Sequence, residues 1–244
     1  MITHYFSKKN LGLIVLLVAL YINPLAAQAS TLTAVAFELR PWGERVNSSP
    51  SGIIPEYIKA LEEKSKVDID LRLVPYGRMI SMLKNGDADF AIFYKTESLN
   101  GITPLKFINS QNNIVVARGD LNSYSSLDGL NIGIGLNILL NNQFDQDETL
   151  RKRSAKDYAR VSKMFQSNRV DAIAGNETVI YSELGRLGFN VNQLGKPFVL
   201  GEKEIWLQVS DKSKRKDQID ALMPSLEEMV NKKEFESLIE KHFK

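Results

Sequence analysis

The stretch PYGRMISMLKNGDADFAIF, residues 75–93, contains the unit on which the predicted fold rests. Met79 and Met82 lie on one face of a helix, and Gly86 is suited to the left-handed residue that ends such a helix. Residues 89–94, DFAIFY, read as a short apolar strand. The sequence therefore predicts a helix that stops at Gly86, followed closely by a strand.

A second stretch repeats this unit later in the chain. Residues 164–175, MFQSNRVDAIAG, align without gaps on the second part of the first stretch, so that Asn168 matches Gly86 and Asp171 matches Asp89. Gly and Asn are the residues that best tolerate the left-handed conformation at the end of a helix. The repeat predicts two α/β lobes of similar build.

Asp87 and Asp89 could be taken for a metal-binding or acid–base pair. The repeat argues against this interpretation, because Arg169 stands where a second copy of Asp87 would be. We therefore expect Asp89 to hydrogen-bond local backbone at the start of its strand, and Asp87 to lie in a solvated turn. No metal site is predicted here.

Strands and helices alternate on both sides of the repeated unit, as in an α/β sheet with crossover helices. Ser154 is the predicted N-cap of the helix that precedes the second strand of the repeat. The other predicted strands cover residues 31–37, 67–74, 130–135, 170–175 and 205–209, and the other predicted helices 53–65, 154–168, 177–188 and the C-terminal region.

The first 29 residues have the pattern of a secretory signal peptide. Lys8 and Lys9 precede an apolar run of 12 residues, Leu11–Ile22, and the cleavage signature Ala27-Gln28-Ala29 follows. The run is shorter than the ~20 residues that a membrane span needs, although a retained N-terminal anchor is the alternative. We expect no membrane span in the mature chain.

Composition narrows the function classes. The chain has 244 residues, a formal net charge of +2 and no cysteine, which excludes disulfides, thiol nucleophiles and Cys metal sites. Loss of Lys8 and Lys9 with the signal peptide lowers the charge by two, to about 0. A near-neutral chain with interspersed charges does not indicate nucleic-acid binding. An exported chain without cysteine favours a bacterial periplasm.

Six motifs occur in an order and spacing that resemble one family, the bacterial extracellular solute-binding proteins, family 3, which serve amino-acid-type ABC transporters. The resemblance covers nearly the whole mature chain. The motifs are RPWG (40–43), GIIPEYIKAL (52–61), PYGRMISMLKNGDAD (75–89), YKTES (94–98), SLDGLNIGI (126–134) and NRVDAIAG (168–175).

The resemblance implies a type II periplasmic-binding fold, in which two Rossmann-like lobes close on a ligand by hinge motion. Lobe 1 would comprise residues 30–113 and 206–244, and lobe 2 residues 114–205. The two hinge crossovers would fall near residues 112–118 and 201–207. The resemblance also implies a monomer that binds a small-molecule solute in the periplasm.

Ligand clefts in open α/β sheets form beyond the carboxyl ends of the strands. Aromatic rings there can stack on a ligand, and arginine can pair with a carboxylate or phosphate. On these grounds the candidates for ligand contact are Arg40, Trp42, Tyr76, Arg78, Tyr94, Thr96, Asn137 and Asn176.

Each candidate also has a purely structural interpretation. Trp42 could pack under a loop, Tyr76 could cover the core of its lobe, and Arg78 could form a salt bridge. Asn137 and Asn176 could cap helices. Arg78 lies in the first turn of a helix, where the helix dipole disfavours a cation, and this favours a functional role.

The sequence departs from the family where amino-acid binders hold their ligand. Leu99 stands where the family usually has the arginine that clamps the ligand carboxylate. Asn176 stands where it has the aspartate that holds the ammonium group, and Asn137-Ile138 replaces a Gly-Thr or Gly-Ser pair. We therefore predict a small polar or partly aromatic solute rather than a free amino acid.

Catalysis is not expected, because the mature chain has a single histidine, His242, and no dinucleotide fingerprint. We predict neither a cofactor nor a metal. Two functions remain open on sequence alone. The protein would deliver its solute to an ABC permease, or it would act as a sensor or accessory protein on a membrane signalling partner. An enzyme on the same fold is the third and least favoured alternative.

Overall fold

The computed structural model describes residues 31–95 and 99–243. The predicted signal peptide, residues 1–29, and the candidate Thr96 lie outside the described residues. Residues Thr31–Lys244 form one compact unit. None of the helices in the described ranges combines the length and the apolar composition that a membrane span requires.

The described part of the chain alternates strands and helices. The strands are β1 (Leu32–Phe37), β2 (Glu44–Val46), β3 (Ser49–Ser51), β4 (Ile69–Val74), β5 (Phe90–Tyr94), β6 (Ile102–Ala117), β7 (Asn131–Gly135), β8 (Arg151–Ala155), β9 (Ala172–Asn176) and β10 (Phe198–Ser210). The helices are α1 (Ile53–Ser65), α2 (Tyr76–Asn85), α3 (Asn142–Gln146), α4 (Tyr158–Gln166), α5 (Glu177–Arg186), α6 (Lys216–Asn231) and α7 (Glu234–Phe243), with 3-10 turns at Tyr124–Leu127 and Val191–Gln193.

Eight strands are hydrogen-bonded in the order β4-β1-β5-β10-β6-β9-β7-β8. β1 pairs in parallel with β4 and β5, and β7 pairs in parallel with β8 and β9. We call the β4-β1-β5 side, with α1, α2, α6 and α7, lobe 1, and the β9-β7-β8 side, with α4 and α5, lobe 2. This architecture confirms the predicted α/β class.

The long strands β6 and β10 join the two lobes. They pair antiparallel from Ile102↔Ser210 to Val115↔Phe198, and both predicted crossover segments, 112–118 and 201–207, overlap them. β10 also pairs with β5 of lobe 1, whereas β6 also pairs with β9 of lobe 2. The residue boundaries of the lobes, 113/114 and 205/206, remain a prediction.

The predicted left-handed stops are confirmed. Gly86 ends α2 with φ 81°, and Asn168 follows α4 with φ 57°. At both residues the chain leaves a helix and enters a strand of the eight-stranded sheet. The two lobes therefore use the same local device with the two residue types that adopt it at least cost.

Asp89 hydrogen-bonds backbone at the start of its strand, as predicted, but this backbone is 56 residues away along the chain and is therefore not local. Its Oδ2 accepts the backbone N–H of Thr33 at 2.8 Å, and Oδ2 of Asp171 accepts the backbone N–H of Asn131 at the same distance. Each carboxylate thus ties the start of its strand to the parallel neighbour. Asp87 lies exposed in the turn, as expected.

The predicted N-cap at Ser154 is wrong. Ser154 lies in β8, which pairs in parallel with β7, and α4 begins only at Tyr158. Asp157 caps that helix by accepting the N–H of Arg160 at 2.9 Å. Ser and Asp are both good N-caps, so local propensity did not distinguish them, and the strand pairing of residues 151–155 decided between them.

Lobe 2 makes room for one large side chain over its sheet. The ring of Tyr158 on α4 lies against β9, and its hydroxyl donates to the carbonyl of Ala174 at 3.0 Å. A Cβ at Gly175 would overlap the hydroxyl oxygen of Tyr158. The missing side chain at Gly175 therefore sets the position of Tyr158 near lobe 1.

Candidate ligand cleft

Ion pairs connect the two lobes beside the hinge. Arg40, in the loop after β1, donates from Nε to Oε1 of Glu183 on α5 at 3.0 Å. A second pair joins Nη1 of Arg186 on α5 to Oε2 of Glu44 at 3.7 Å. Glu183 is only 5% exposed, so its charge is largely withdrawn from water. The lobes therefore contact each other through charges that come from both sides.

A pocket of about 400 Å³ opens next to these ion pairs. Its lining combines lobe 1 and lobe 2: Glu38, Leu39, Arg40, Gly43, Glu44, Arg45, Asp157, Tyr158, Ala159 and Glu183. Four of these residues are acids and two are arginines. Arg45 is already paired with Glu38 at 3.2 Å and donates to the carbonyl of Leu73. The pocket therefore has an excess of negative charge.

Tyr76 lies where the strands of lobe 1 end. Its ring meets Phe37 edge-on at a centroid distance of 6.0 Å and Phe93 at 6.4 Å. The residue is nevertheless 45% exposed. Tyr76 thus covers the core with one face, as its structural interpretation required, and leaves the rest of the ring accessible at the carboxyl ends of β1, β4 and β5.

Trp42 lies in the core of lobe 1. It is 1% exposed, its ring stacks on Phe235 of α7 at 6.1 Å, and it meets Tyr94 edge-on at 6.2 Å. This is the packing alternative considered above. Contact between Trp42 and a ligand remains a prediction. Such a contact would be a hydrogen bond donated by Nε1, the one polar atom of the ring.

Three buried hydrogen-bond donors in this cluster have no partner among the described residues: Nε1 of Trp42, the hydroxyl of Tyr94 and the hydroxyl of Tyr57, whose ring meets Phe235 edge-on. Burial raises the pKa of the Tyr94 hydroxyl far above its usual value, and the nearby Tyr158 of lobe 2 raises it further. The hydroxyl therefore stays protonated. Buried donors of this kind are stabilised when an acceptor reaches them.

The remaining candidates lie in different surroundings. Arg78 is exposed and has no ion pair within the described part of the chain. Asn137 is exposed, with φ 59°, and the helix that follows it is capped by Asn141. Asn176 is 8% exposed and caps α5, since its side chain accepts the N–H of Val179 at 3.2 Å. Of the predicted residues that the structure describes, only Arg40 lines the inter-lobe pocket.

The sequence of residues 33–244 matches the profile of the bacterial extracellular solute-binding proteins, family 3. The chain belongs to this family. The match spans both lobes and the two long strands that join them. A comparison with curated protein sequences finds no significant match.

Solved structures of family-3-like domains superpose on the chain at low sequence identity. The VFT2 domain of BvgS from Bordetella pertussis is 16% identical, with a TM-score of 0.66, over 98% of this chain and 99% of that one. A histidine kinase sensor domain with similarity to periplasmic binding proteins is 13% identical, with a TM-score of 0.66, over 87% and 95%. The second substrate-binding domain of a putative amino acid ABC transporter from Streptococcus pneumoniae is 16% identical, with a TM-score of 0.64, over 88% and 100%.

Two residues that sequence reasoning did not select, Tyr158 and Glu183, lie between the lobes of this solute-binding protein. For Glu183 a signal was present, because it lies four residues after the buried Val179 and next to the buried Leu184. A carboxylate on the apolar face of a helix requires a partner. For Tyr158 the signal was absent, since an aromatic residue near the start of a helix usually packs in the core.

We expect a double-mutant cycle on Arg40→Ala and Glu183→Gln to give a coupling energy of about 1 kcal/mol, between that of an exposed pair and that of a buried charged hydrogen bond. Small-angle scattering should show a larger radius for Arg40→Ala, because an inter-lobe contact is lost. The control is the exposed pair Lys59–Glu63, with 4.0 Å between its charged atoms. Equal coupling in the two cycles would mean that Arg40 does not hold the lobes together.

Proposed function

We propose that the protein is a periplasmic receptor that closes on a small polar solute between its lobes and delivers it to an ABC permease. One observation carries this proposal. The buried hydroxyl of Tyr94 has no partner among the described residues, although it lies at the carboxyl end of β5 beside Trp42 and near Tyr158, which lines the inter-lobe pocket. A solute acceptor atom that reached this point would satisfy a donor that the described residues leave unpaired.

The charges around the pocket favour a particular solute class. The lining has four acids against two arginines, and Arg40 is already bound to Glu183. A carboxylate would meet net repulsion there, whereas a neutral or cationic solute would not. We therefore infer a neutral or cationic solute with an oxygen acceptor, which agrees with the missing clamp arginine at Leu99.

Closure would use the two strands that join the lobes. β6 and β10 form the connection, and residues of both lobes line the pocket, so a bound solute contacts both at once. A solute that contacts both lobes binds the closed form better and shifts the population toward it. The closed form would then be the one that the permease recognises.

We expect a thermal-shift screen of residues 30–244 against polar solutes to find a ligand. A solute present at 100 times its dissociation constant raises the free energy of unfolding by about 2.7 kcal/mol, which gives a measurable shift. Tyr94→Phe should lower the affinity for that ligand about tenfold, since one buried hydrogen bond is lost. The same variant should not destabilise the empty protein, because it removes an unpaired hydroxyl.

The matched control is Tyr124→Phe, which removes a hydroxyl on lobe 2 that is bonded to Asp147 at 3.0 Å. It should leave ligand affinity unchanged. Wild-type affinity in Tyr94→Phe would overturn the role of this hydroxyl. A solute panel without any hit, including neutral and cationic compounds, would count against the receptor function itself.

A sensor on a membrane signalling partner is the second candidate. It is favoured by the ion pairs Arg40–Glu183 and Arg186–Glu44, which join the lobes without help from a solute. One of the structures described above is a histidine kinase sensor domain. Deletion of a permease receptor would abolish uptake of the identified solute, whereas deletion of a sensor would leave uptake intact and change gene expression.

A further inference from the structure

A basic concavity of about 620 Å³ lies on lobe 2, between the end of β8 and the outer face of α4. Its lining consists of Ser154, Ala155, Lys156, Arg160, Lys163, Met164, Ser167 and Arg169. Four of the eight residues are cations and none is an acid. This concavity is separate from the inter-lobe pocket, with which it shares no lining residue.

The four cations have no ion pair within the described ranges, and all four are exposed. The nearest acids along the chain are already engaged with backbone. Asp157 accepts the N–H of Arg160 at 2.9 Å as the cap of α4, and Asp171 accepts the N–H of Asn131 at 2.8 Å. Within the described ranges, neither of these acids forms an ion pair with a cation of the concavity.

Protection of a sheet edge explains only part of this charge. β8 is the outer strand of the sheet, and Arg151, Lys152 and Arg153 on it discourage pairing with another chain. Arg160 and Lys163 lie on α4, and Arg169 follows it, so they do not guard the strand edge. Their clustering requires another reason.

An apolar loop lies beside the same concavity. Leu136, Ile138 and Leu139 follow β7 and are 55%, 36% and 71% exposed. The N–H of Leu136 donates at 2.8 Å to the carbonyl of Ala155, which lines the concavity. Exposed aliphatic side chains next to unpaired cations are the combination with which proteins bind the surface of an anionic membrane.

We propose that this face of lobe 2 docks on an anionic lipid bilayer. Phosphate headgroups would neutralise Arg160, Lys163 and Arg169, and Leu139 would enter the boundary between headgroups and acyl chains. A free phosphate would satisfy the cations but leave the apolar loop exposed to water. An acidic protein would lack the apolar layer beneath its charges. A bilayer supplies both, and docking would not depend on the solute.

The test is sedimentation of residues 30–244, which contain the whole described unit, with phosphatidylcholine vesicles that contain or lack phosphatidylglycerol. The protein should bind only the anionic vesicles, and less as salt rises, since the screening length falls to about 8 Å at physiological ionic strength. Arg160→Gln, Lys163→Gln and Arg169→Gln together should lower partitioning about a hundredfold, at roughly fivefold per cation. Leu139→Ser should also lower it.

The control carries Lys59→Gln, Arg72→Gln and Lys214→Gln, which remove the same charge from exposed sites of lobe 1, and it should bind like the wild type. Equal losses in the two triple variants would show a non-specific charge effect and overturn the proposal. So would the absence of binding to anionic vesicles, binding only to an acidic protein, or complete competition by inorganic phosphate at constant ionic strength.

Discussion

Asp89→Ala is expected to destabilise the protein by about 2–4 kcal/mol, because it leaves buried hydrogen-bond donors without an acceptor. The carboxylate is 1% exposed and accepts the Thr33 N–H, the Ser213 hydroxyl at 2.7 Å and Nη1 of Arg215 at 3.1 Å. Its removal leaves three donors of lobe 1 without an acceptor.

Asp171→Ala, at the equivalent position of lobe 2, should cost only about 1 kcal/mol. Asp171 is exposed, and among the described residues it accepts from the backbone and side chain of Asn131 only. These hydrogen bonds from Asn131 lower the pKa of Asp171, so its contribution is present above its unfolded pKa and is lost as the pH falls through the folded value.

Urea unfolding of the two variants measures this difference directly. Asp89→Asn is the informative companion, because it keeps hydrogen-bonding capacity but removes the charge that Arg215 requires, and it should fall between the wild type and Asp89→Ala. Equal losses of stability in the two alanine variants would show that the buried hydrogen bonds of Asp89 contribute no more than the exposed hydrogen bonds of Asp171.

Trp42→Ala is expected to cost about 3–5 kcal/mol, as for other large aromatic residues removed from a core. The ring is 1% exposed and fixes α7 through its stacking on Phe235. If this variant loses solute binding, the cause could therefore be either disruption of the packing on α7 or removal of a ligand contact.

Trp42→Phe separates the two roles. It keeps an aromatic ring against Phe235 and removes Nε1, so it should cost about 1–2 kcal/mol, less than the alanine variant because fewer buried atoms are lost. If Nε1 donates to the solute, affinity should fall about tenfold, measured by calorimetry once a ligand is known. Unchanged affinity would place Trp42 in the scaffold only.

The elements that the sequence predicted well are those whose signal is local. Gly86 and Asn168 mark helix ends by backbone chemistry, and α1 was predicted with its observed bounds, 53–65. β6 was missed, because its 16 residues pass from partly exposed to fully buried surroundings and show neither clean alternation nor a continuous apolar run. Its course depends on β10 and β9, which are distant in sequence.

Arg40 is the one described residue of the inter-lobe pocket that the sequence selected, and the other candidates remain predictions. Tyr76 and Tyr94 lie at strand ends in lobe 1, where the strand-end rule expects ligand contacts. The partners across the cleft, Tyr158 and Glu183, depend on how two separately built lobes meet, and no local pattern encodes that. For Trp42 the aromatic residue type was compatible with cleft and core alike, and only packing on α7 distinguished them.

The position of β10 has a consequence for how the chain reaches its folded state. β10 lies between β5 and β6, although it is the last strand in sequence. A chain emerging from its N-terminus has no central strand until residues 198–210 arrive, so β5 and β6 both present open edges. Completion of the lobe 1 sheet therefore requires a pairing between β5 and β10, which are distant in sequence, and contacts of this kind form slowly during folding.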